Sequence, residues 1–168
     1  MNNLTIVFDP LEADYETLAA HLESGWDAAQ PTDADSAEIE IPVRYGGADG
    51  PDLAALAKHT GLSVDEVVKR HTETEYIVFF LGFQPGFAYL GGLDPALHMP
   101  RRAEPRLEVP AGSVGIGGAQ TGIYPATSPG GWQLLGRTEL KPFDPARNPP
   151  TLMQPGGRVR FKALEVRA

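Results

Sequence analysis

The stretch Leu81–Thr138, LGFQPGFAYLGGLDPALHMPRRAEPRLEVPAGSVGIGGAQTGIYPATSPGGWQLLGRT, contains most of the unusual residue patterns of this chain. Glycine and proline recur every few residues, which excludes a long helix. The stretch is nevertheless too rich in aromatic and aliphatic residues for a disordered linker. We therefore predict short strands joined by tight turns, in which glycines let the backbone approach other backbone or a ligand.

Regular elements are predicted on both sides of this stretch. They are a strand at 39–45, a helix that begins at Pro51 and ends at Gly61, a helix opened by a capping box at Ser63, a buried strand at Tyr76–Phe80 and a closing strand at 158–161. Together with the central stretch, these elements predict one mainly β domain with short helices over residues 36–168.

The first 35 residues predict a different kind of segment. A strand is expected at 4–8, followed by an amphipathic helix that includes Tyr15, Leu18 and Leu22 and ends at Gly25. Residues 26–37 are polar and acidic and predict a linker. One strand and one helix cannot bury a core of their own, so residues 1–35 are expected to be part of a larger α+β unit or to pack against something else.

Composition limits the classes of protein that remain. The 168 residues carry a net charge of −8, and the acidic residues concentrate in the first 60 positions. An acidic chain is a poor candidate for binding nucleic acid through its phosphates. The absence of cysteine excludes disulfides and thiolate chemistry. No membrane span or signal peptide is recognisable, which is compatible with the cytoplasm.

Several long motifs carry a resemblance to a known family. GFQPGFAYLGGLDP, MPRRAEPRLEVPAGSVGIGGAQTGIYPATSPGGWQLLGRT and PFDP followed by PPTLMQPGGRVRF occur in this order, after IPVRYGGADGPDLAALA. Over roughly residues 39–163 the chain resembles the allophanate hydrolase subunit 1 family. This family is also known as KipI, as the B subunit of bacterial 5-oxoprolinase and as carboxyltransferase subdomains C and D. A match of this length is more specific than a single glycine motif.

The resemblance implies a fold. Members of the family have a cyclophilin-like β-barrel that follows a complete α+β domain. Only LTIVFDPLEADYETLAAHLE is similar to that α+β domain here, as its last strand and helix. The first part of the N-terminal domain is therefore expected to be missing from this chain.

The resemblance also implies a function. The chain is expected to be one subunit of an enzyme that opens 5-oxoproline to glutamate at the expense of ATP, and to be inactive alone. The expected partners are a second barrel subunit of the allophanate hydrolase subunit 2 type and a third, TIM-barrel-like subunit. Two alternatives stay open: one half of a biotin-dependent urea carboxylase carboxyltransferase, and a KipI-like inhibitor of a histidine kinase. A prolyl isomerase, by analogy of fold alone, ranks last.

Candidate substrate-binding residues lie in the loops of the central stretch. They are Phe83, Pro85, Gly86, Phe87, Tyr89, Arg101, Arg106, Gln120, Tyr124, Ser128 and Trp132. An aromatic wall beside free backbone N–H groups suits a small carbonyl or carboxylate ligand, and arginines next to proline suit a forked contact with an anion. Plainer interpretations exist for each pattern: aromatic residues of the core, solvated surface arginines, and ordinary turn chemistry.

No catalytic residue is assigned from the sequence. The four histidines share no recognisable spacing, and His98, beside the arginines, is the best acid–base candidate, although an isolated histidine is more often structural. The sequence has neither a metal-ligand motif nor a phosphate-binding loop. If ATP is used, most of its site is expected in a partner.

Overall fold

The structure is a computed structural model that describes residues 6–29 and 38–167. The chain divides into two compact units, Met1–Asp33 and Ala34–Ala168. Within the described ranges, no helix is long and apolar enough to cross a lipid bilayer.

The first unit contains helix α1 (Tyr15–Ala28). Asp14 caps it, because its carboxylate accepts the backbone N–H of Thr17 at 2.8 Å and satisfies one of the free donors at the helix start. The helix continues through Gly25 to Ala28, so the predicted end at Gly25 was wrong. One helical glycine costs only about 1 kcal/mol relative to alanine, which is too little to end a helix by itself.

The segments that flank α1 differ from their predictions. Residues 6–9 have no regular secondary structure, so the strand predicted at 4–8 is absent from its described part. Leu4 and Thr5 lie outside the described residues. The linker predicted at 26–37 begins inside α1, and its remaining positions from 30 onward lie outside the described residues.

Over residues 38–167, the described part of the second unit, there are two α-helices, a short 3₁₀ helix and nine strands. These are α2 (Leu53–Thr60), α3 (Val64–Glu73), the 3₁₀ helix (Pro95–Leu97), β1 (Ile39–Gly46), β2 (Tyr76–Leu81), β3 (Ala88–Gly91), β4 (Arg106–Val109), β5 (Ser113–Gly117), β6 (Gln120–Ile123), β7 (Ser128–Gly130), β8 (Gln133–Arg137) and β9 (Arg158–Arg167). Most strands are short because glycine and proline interrupt the central stretch.

Seven strands close into a barrel in the order β1–β8–β5–β6–β3–β2–β9. β1 and β9 run parallel, with Ile39 opposite Val159 and Ile41 opposite Phe161, whereas the other neighbouring strands run antiparallel. Pairing of the first strand with the last closes the barrel and removes its free edges. β4 and β7 form a separate two-stranded ribbon.

The barrel interior is filled by side chains that alternate along the strands. On β1, Ile41, Val43 and Tyr45 are completely buried, and on β2 Tyr76 and Val78 are buried while the residues after each of them are exposed. The buried faces of α2 and α3 pack on the same core. The barrel is therefore a packed core and not a channel.

Helix α3 places His71 in this core, with its imidazole completely buried. Tyr45 Oη lies 2.8 Å from Nδ1, and Thr121 Oγ1 lies 3.0 Å from Nε2. Because the Thr121 hydroxyl donates to the Gly115 carbonyl, Nε2–H donates to Thr121 and Nδ1 accepts from Tyr45. Burial lowers the pKa of His71 to about 3, so the imidazole is neutral near pH 7. We call these four residues the His71 network.

The fold-class prediction, a mainly β barrel domain with short helices, is confirmed. Gly61 ends α2 in the left-handed conformation, with φ of 71°. Ser63 caps α3 by accepting the N–H of Glu66 at 3.1 Å. The capping box is only half formed, because the Glu66 carboxylate bonds to Arg70 at 2.9 Å and does not return to the helix start. The closing strand is longer than the predicted 158–161 and continues to Arg167.

Candidate functional site

The chain leaves β2 through a strained turn centred on Phe83. The N–H of Gln84 donates to the Gly82 carbonyl at 2.8 Å, and Phe83 between them has φ of 67°. This three-residue turn with positive φ is rare and strained, particularly for a bulky residue. Strained backbone of this kind is common at functional sites. The turn holds the Phe83 side chain 62% exposed.

A second turn follows immediately and returns the chain to the barrel. The N–H of Phe87 donates to the Gln84 carbonyl at 3.0 Å. Pro85 and then Gly86, with φ of 82°, occupy the central positions of this turn, as a type II turn requires. A Cβ on Gly86 would lie 2.6 Å from Cβ of Phe143, so only glycine fits there. The two turns together fix the shape of the loop.

Four aromatic rings pack together next to this loop. The Phe87 ring centroid lies 4.9 Å from Tyr89, 5.4 Å from Tyr124 and 5.3 Å from Trp132. The contacts with Tyr124 and Trp132 are edge-to-face, which is a favourable geometry for aromatic pairs. Phe87 is only 1% exposed and belongs to a hydrophobic cluster separate from the main core of the barrel. The buried Phe87 ring is therefore the base against which Tyr89, Tyr124 and Trp132 pack.

Two glycines make room for this packing. A Cβ on Gly117 would lie 2.5 Å from the Trp132 indole, and a Cβ on Gly130 would lie 2.4 Å from the Tyr124 hydroxyl oxygen. Any larger residue at these positions would displace the rings. The glycine-rich composition of the stretch thus allows a dense aromatic cluster at the surface of a small barrel.

These elements form a cleft of about 100 Å³, which we call the aromatic cleft. Its lining consists of Phe83, Phe87, Tyr89, Arg101, Tyr124, Trp132 and the segment Pro129–Gly131. Six of the eleven predicted binding residues therefore come together in one place. The volume is well below the roughly 300–1,000 Å³ of pockets for drug-sized ligands, so the cleft suits a small molecule or one end of a larger one.

The other five predicted residues lie elsewhere. Pro85 and Gly86 line an adjacent cavity of about 400 Å³, which shares Phe83 with the aromatic cleft. Ser128 accepts a hydrogen bond from the Gln84 side chain at 2.7 Å. Gln120 begins β6 opposite Gly117 and does not line the aromatic cleft. Arg106 is also absent from the lining, so the aromatic cleft brings together Tyr89 and Tyr124 but not Arg106 or Gln120.

Arg106 is engaged in an ion pair with a residue that the sequence did not single out. Its Nη2 donates to Asp52 Oδ1 at 2.8 Å, and Arg102 Nη1 lies 3.4 Å from the same oxygen. Asp52 Oδ2 accepts the backbone N–H of Leu134 at 2.7 Å, and Asp52 is only 5% exposed. Asp52 therefore ties the arginine loop to β8. Nη1 of Arg106 is buried without a hydrogen-bond partner among the described residues.

Asp52 occupies the N-cap position of helix α2 in the structure. It precedes α2, but its side chain makes no capping hydrogen bond. A capping aspartate bonds backbone two or three residues later, whereas this one bonds residues 50 to 82 positions away. The residues around Asp52 in the sequence cannot distinguish a helix-capping aspartate from one that forms a long-range ion pair. Only the high arginine content of the 101–106 segment pointed to a carboxylate partner.

Tyr124 supplies one of the two tyrosine hydroxyls in the lining of the aromatic cleft. The residue is 2% exposed, and burial raises the pKa of its phenol, although a hydrogen bond from the Trp132 backbone N–H and the charge of Arg101 oppose this shift. The phenol therefore keeps its proton near neutral pH. No acceptor for that proton is present among the described residues, so a bound ligand can accept it.

Acid–base and metal chemistry have little support in the described part of the chain. His98 Nε2 lies 3.2 Å from the Leu93 carbonyl, and His98 does not line the aromatic cleft. His71 is used in the His71 network. Residues 6–29 and 38–167 contain no group of three or more histidine, aspartate or glutamate side chains placed to bind a metal ion.

Comparison with known proteins identifies the family. A family model described as the carboxyltransferase domain, subdomain C and D, matches residues 1–153. The chain is 56% identical over 161 residues to the B subunit of 5-oxoprolinase from Escherichia coli O157:H7, covering 96% of this chain and 74% of that protein. The corresponding protein of Haemophilus influenzae is 52% identical, with 96% and 75% covered. The chain belongs to the family of carboxyltransferase subdomains C and D, as the sequence resemblance predicts.

One solved structure and one distant relative extend the comparison. A conserved uncharacterized protein from Pyrococcus horikoshii matches with a TM-score of 0.74 and 46% identity, covering 95% of this chain and 73% of that one. A putative urea carboxylase from Emericella nidulans is 26% identical over 115 residues, which are 67% of this chain and 9% of that protein.

Proposed function

We propose that this chain is a subunit of an ATP-dependent 5-oxoprolinase, a complex that hydrolyses the cyclic amide of 5-oxoproline to glutamate. The observation that carries the proposal is the 52–56% identity to 5-oxoprolinase B subunits over 96% of the chain. The word subunit in the names of those relatives implies a multi-subunit enzyme. We propose a second barrel subunit and a third, TIM-barrel-like subunit as partners.

The aromatic cleft is the proposed place where this chain meets the substrate. Its volume of about 100 Å³ suits a small ring compound. Aromatic side chains can pack against the ring, and the protonated Tyr124 hydroxyl can donate to an amide carbonyl. A donor held at the place where negative charge develops on a carbonyl oxygen accelerates its attack by a nucleophile. Our proposal therefore assigns to this chain binding and polarisation of the amide.

Neither the aromatic cleft nor the adjacent cavity fits ATP. The aromatic cleft is too small for a nucleotide. The adjacent cavity of about 400 Å³ is lined by residues 81–86, Phe143 and Thr151, and this described lining contains no lysine or arginine to bind phosphates. ATP is therefore expected to bind mainly in another subunit.

Activity is consequently expected only in the assembled enzyme. The aromatic cleft contains two tyrosine hydroxyls and an arginine, but the described residues that line it include no histidine, carboxylate, serine, threonine, cysteine or lysine to serve as general base or nucleophile. The test is to co-express the chain with its two proposed partner subunits and to measure glutamate formed from 5-oxoproline and ATP. The complex is expected to form glutamate, and the purified chain alone is expected to form none. ATP-dependent turnover by the chain alone would contradict the proposed division of labour.

Carboxyl transfer to urea is the second candidate. It is favoured by the match to the putative urea carboxylase, but at 26% identity this support is weaker than that for 5-oxoprolinase. The same purified complex separates the two functions. Transfer of the carboxyl group from carboxybiotin to urea, which releases biotin and forms allophanate, without glutamate formation from 5-oxoproline, would favour the second candidate.

A further inference from the structure

Three arginines lie close together in the 101–106 segment, and the structure separates them by their partners. Arg102 and Arg106 both bond the buried carboxylate of Asp52. Arg101 makes no ion pair among the described residues; its guanidinium carbon lies 5.8 Å from the centroid of the Trp132 ring. Two of the arginines thus share one buried carboxylate within the protein, whereas the third lines the aromatic cleft and has no carboxylate partner among the described residues.

The backbone on both sides of Arg101 is anchored to the cleft. The Pro100 carbonyl accepts the side-chain amide of Gln133 at 2.9 Å. The Arg102 N–H donates to the Gly131 carbonyl at 2.7 Å. A guanidinium within about 6 Å of an indole face gains a favourable cation–π interaction, worth about 0.5–1 kcal/mol at exposed sites. These contacts place Arg101 before a ligand arrives, while its N–H groups remain free to bind.

The free N–H groups define the chemistry that the cleft recognises. A guanidinium presents parallel N–H donors that match the two oxygens of a carboxylate. Tyr124 and Tyr89 in the same lining are neutral hydroxyl donors suited to a carbonyl oxygen. One cation, neutral donors and aromatic walls match a small cyclic amide that carries one carboxylate. A second anionic group has no further unpaired cation in the described lining.

We propose that Arg101 is the specificity-determining residue of this site, and that it binds the carboxylate of the substrate while the amide ring lies against the aromatic walls. This inference rests on the proposed function, because it assigns a role within the 5-oxoproline site. It predicts that the enzyme distinguishes 5-oxoproline from 2-pyrrolidone, which has the same ring without the carboxylate.

The test uses the assembled complex with Arg101→Gln, and with Arg158→Gln as the matched control. Arg158 is exposed on β9 and does not line the aromatic cleft, so its replacement removes the same charge elsewhere. Calorimetric titration with 5-oxoproline is expected to show a Kd roughly 10- to 100-fold higher for Arg101→Gln, as for the loss of a charged hydrogen bond. The Kd for 2-pyrrolidone is expected to be unchanged, and Arg158→Gln is expected to match the wild type.

Arg101→Lys sharpens the test, because lysine keeps the charge but loses the forked geometry. We expect an intermediate Kd and an elevated KM with a smaller change in kcat. Equal affinity of the wild type and Arg101→Gln for 5-oxoproline would overturn the inference and leave the proposed function intact. Failure of the wild-type complex to bind and cleave 5-oxoproline would overturn the proposed function, and this inference with it.

Discussion

The aromatic cleft and the His71 network are built from similar side chains but leave them in opposite states. In the His71 network the imidazole and the Thr121 hydroxyl have protein partners on both sides, and all are buried. In the aromatic cleft, Tyr124 keeps a proton without an acceptor and Arg101 keeps a charge without a counter-ion among the described residues. Polar groups that the protein satisfies itself stabilise the fold, whereas groups left available are suited to a ligand.

The largest expected effect tests the structural side of this comparison. His71→Ala should lower the free energy of unfolding by about 4 kcal/mol, because it creates a core cavity and leaves the Tyr45 hydroxyl buried without its partner. Urea unfolding of the chain measures this. His98→Ala is the control and should cost less than about 1 kcal/mol. Equal losses of unfolding free energy for the two replacements would contradict the conclusion that the His71 network stabilises the fold.

Tyr124→Phe tests the functional side. Removal of a donor that faces developing charge should lower the turnover of the assembled complex by roughly 10²-fold. Loss of the bond from the Trp132 N–H should lower the melting temperature by no more than about 4 °C. Tyr15→Phe, on the exposed face of α1, is the control and should retain full activity. Full activity of Tyr124→Phe would show that the phenol is structural.

Arg106 and Arg101 are the same residue type but are expected to differ in their contribution to the stability of the fold. Arg106→Gln should reduce the free energy of unfolding by about 2 kcal/mol, because the buried Asp52 carboxylate loses its 2.8 Å partner. Arg101→Gln should change it by no more than about 0.5 kcal/mol. Thermal and urea unfolding of both variants measure the difference. A larger loss for Arg101 than for Arg106 would reverse their proposed roles.

The pH dependence of stability reports on the His71 network. The unfolded chain protonates His71 near pH 6.5, whereas the folded chain resists protonation until about pH 3. Below pH 6.5 the unfolded state therefore binds more protons, and its free energy falls relative to the folded state. Stability should decrease by about 1.4 kcal/mol for each pH unit between 6 and 4.5. A flat profile of urea unfolding over this window would contradict a buried neutral imidazole.

The smallest expected effect concerns the N-terminal unit. All buried residues of the main core lie between Ile41 and Phe161. We therefore propose that the barrel is an independent domain and that deletion of residues 1–34 leaves it folded. Circular dichroism and the urea midpoint should be nearly unchanged. A globally unfolded product would show that the deleted segment belongs to the same folding unit.

Sequence predicted the elements that depend on neighbouring residues. The β-branched and aromatic run at 76–80, the terminating Gly61 and the capping Ser63 each decide local backbone conformation, and each forms the predicted element. The prediction that the strand at 76–80 is buried was wrong for one of its faces, because Ile77 and Phe79 are exposed. The helix end predicted at Gly25 was wrong, because a single glycine lowers the stability of a helix without ending it.

Long-range contacts explain what the sequence did not predict. Asp52 pairs with Arg106 across 54 positions, and His71 bonds Thr121 across 50. Neither pair leaves a pattern among neighbouring residues. The sequence therefore did not distinguish the ion-paired Arg106 from the other arginines of the 101–106 segment, nor the buried His71 from the other histidines. Pairing of the strands in the closed barrel determines which polar groups have partners within the protein and which are left available to a ligand.

The most direct test of the site is the structure of the assembled complex with 5-oxoproline bound. We expect the carboxylate within hydrogen-bonding distance of the Arg101 guanidinium, the amide carbonyl near the Tyr124 hydroxyl, and the ring against Trp132. A substrate bound at another place, with the aromatic cleft empty or filled by a partner side chain, would contradict it.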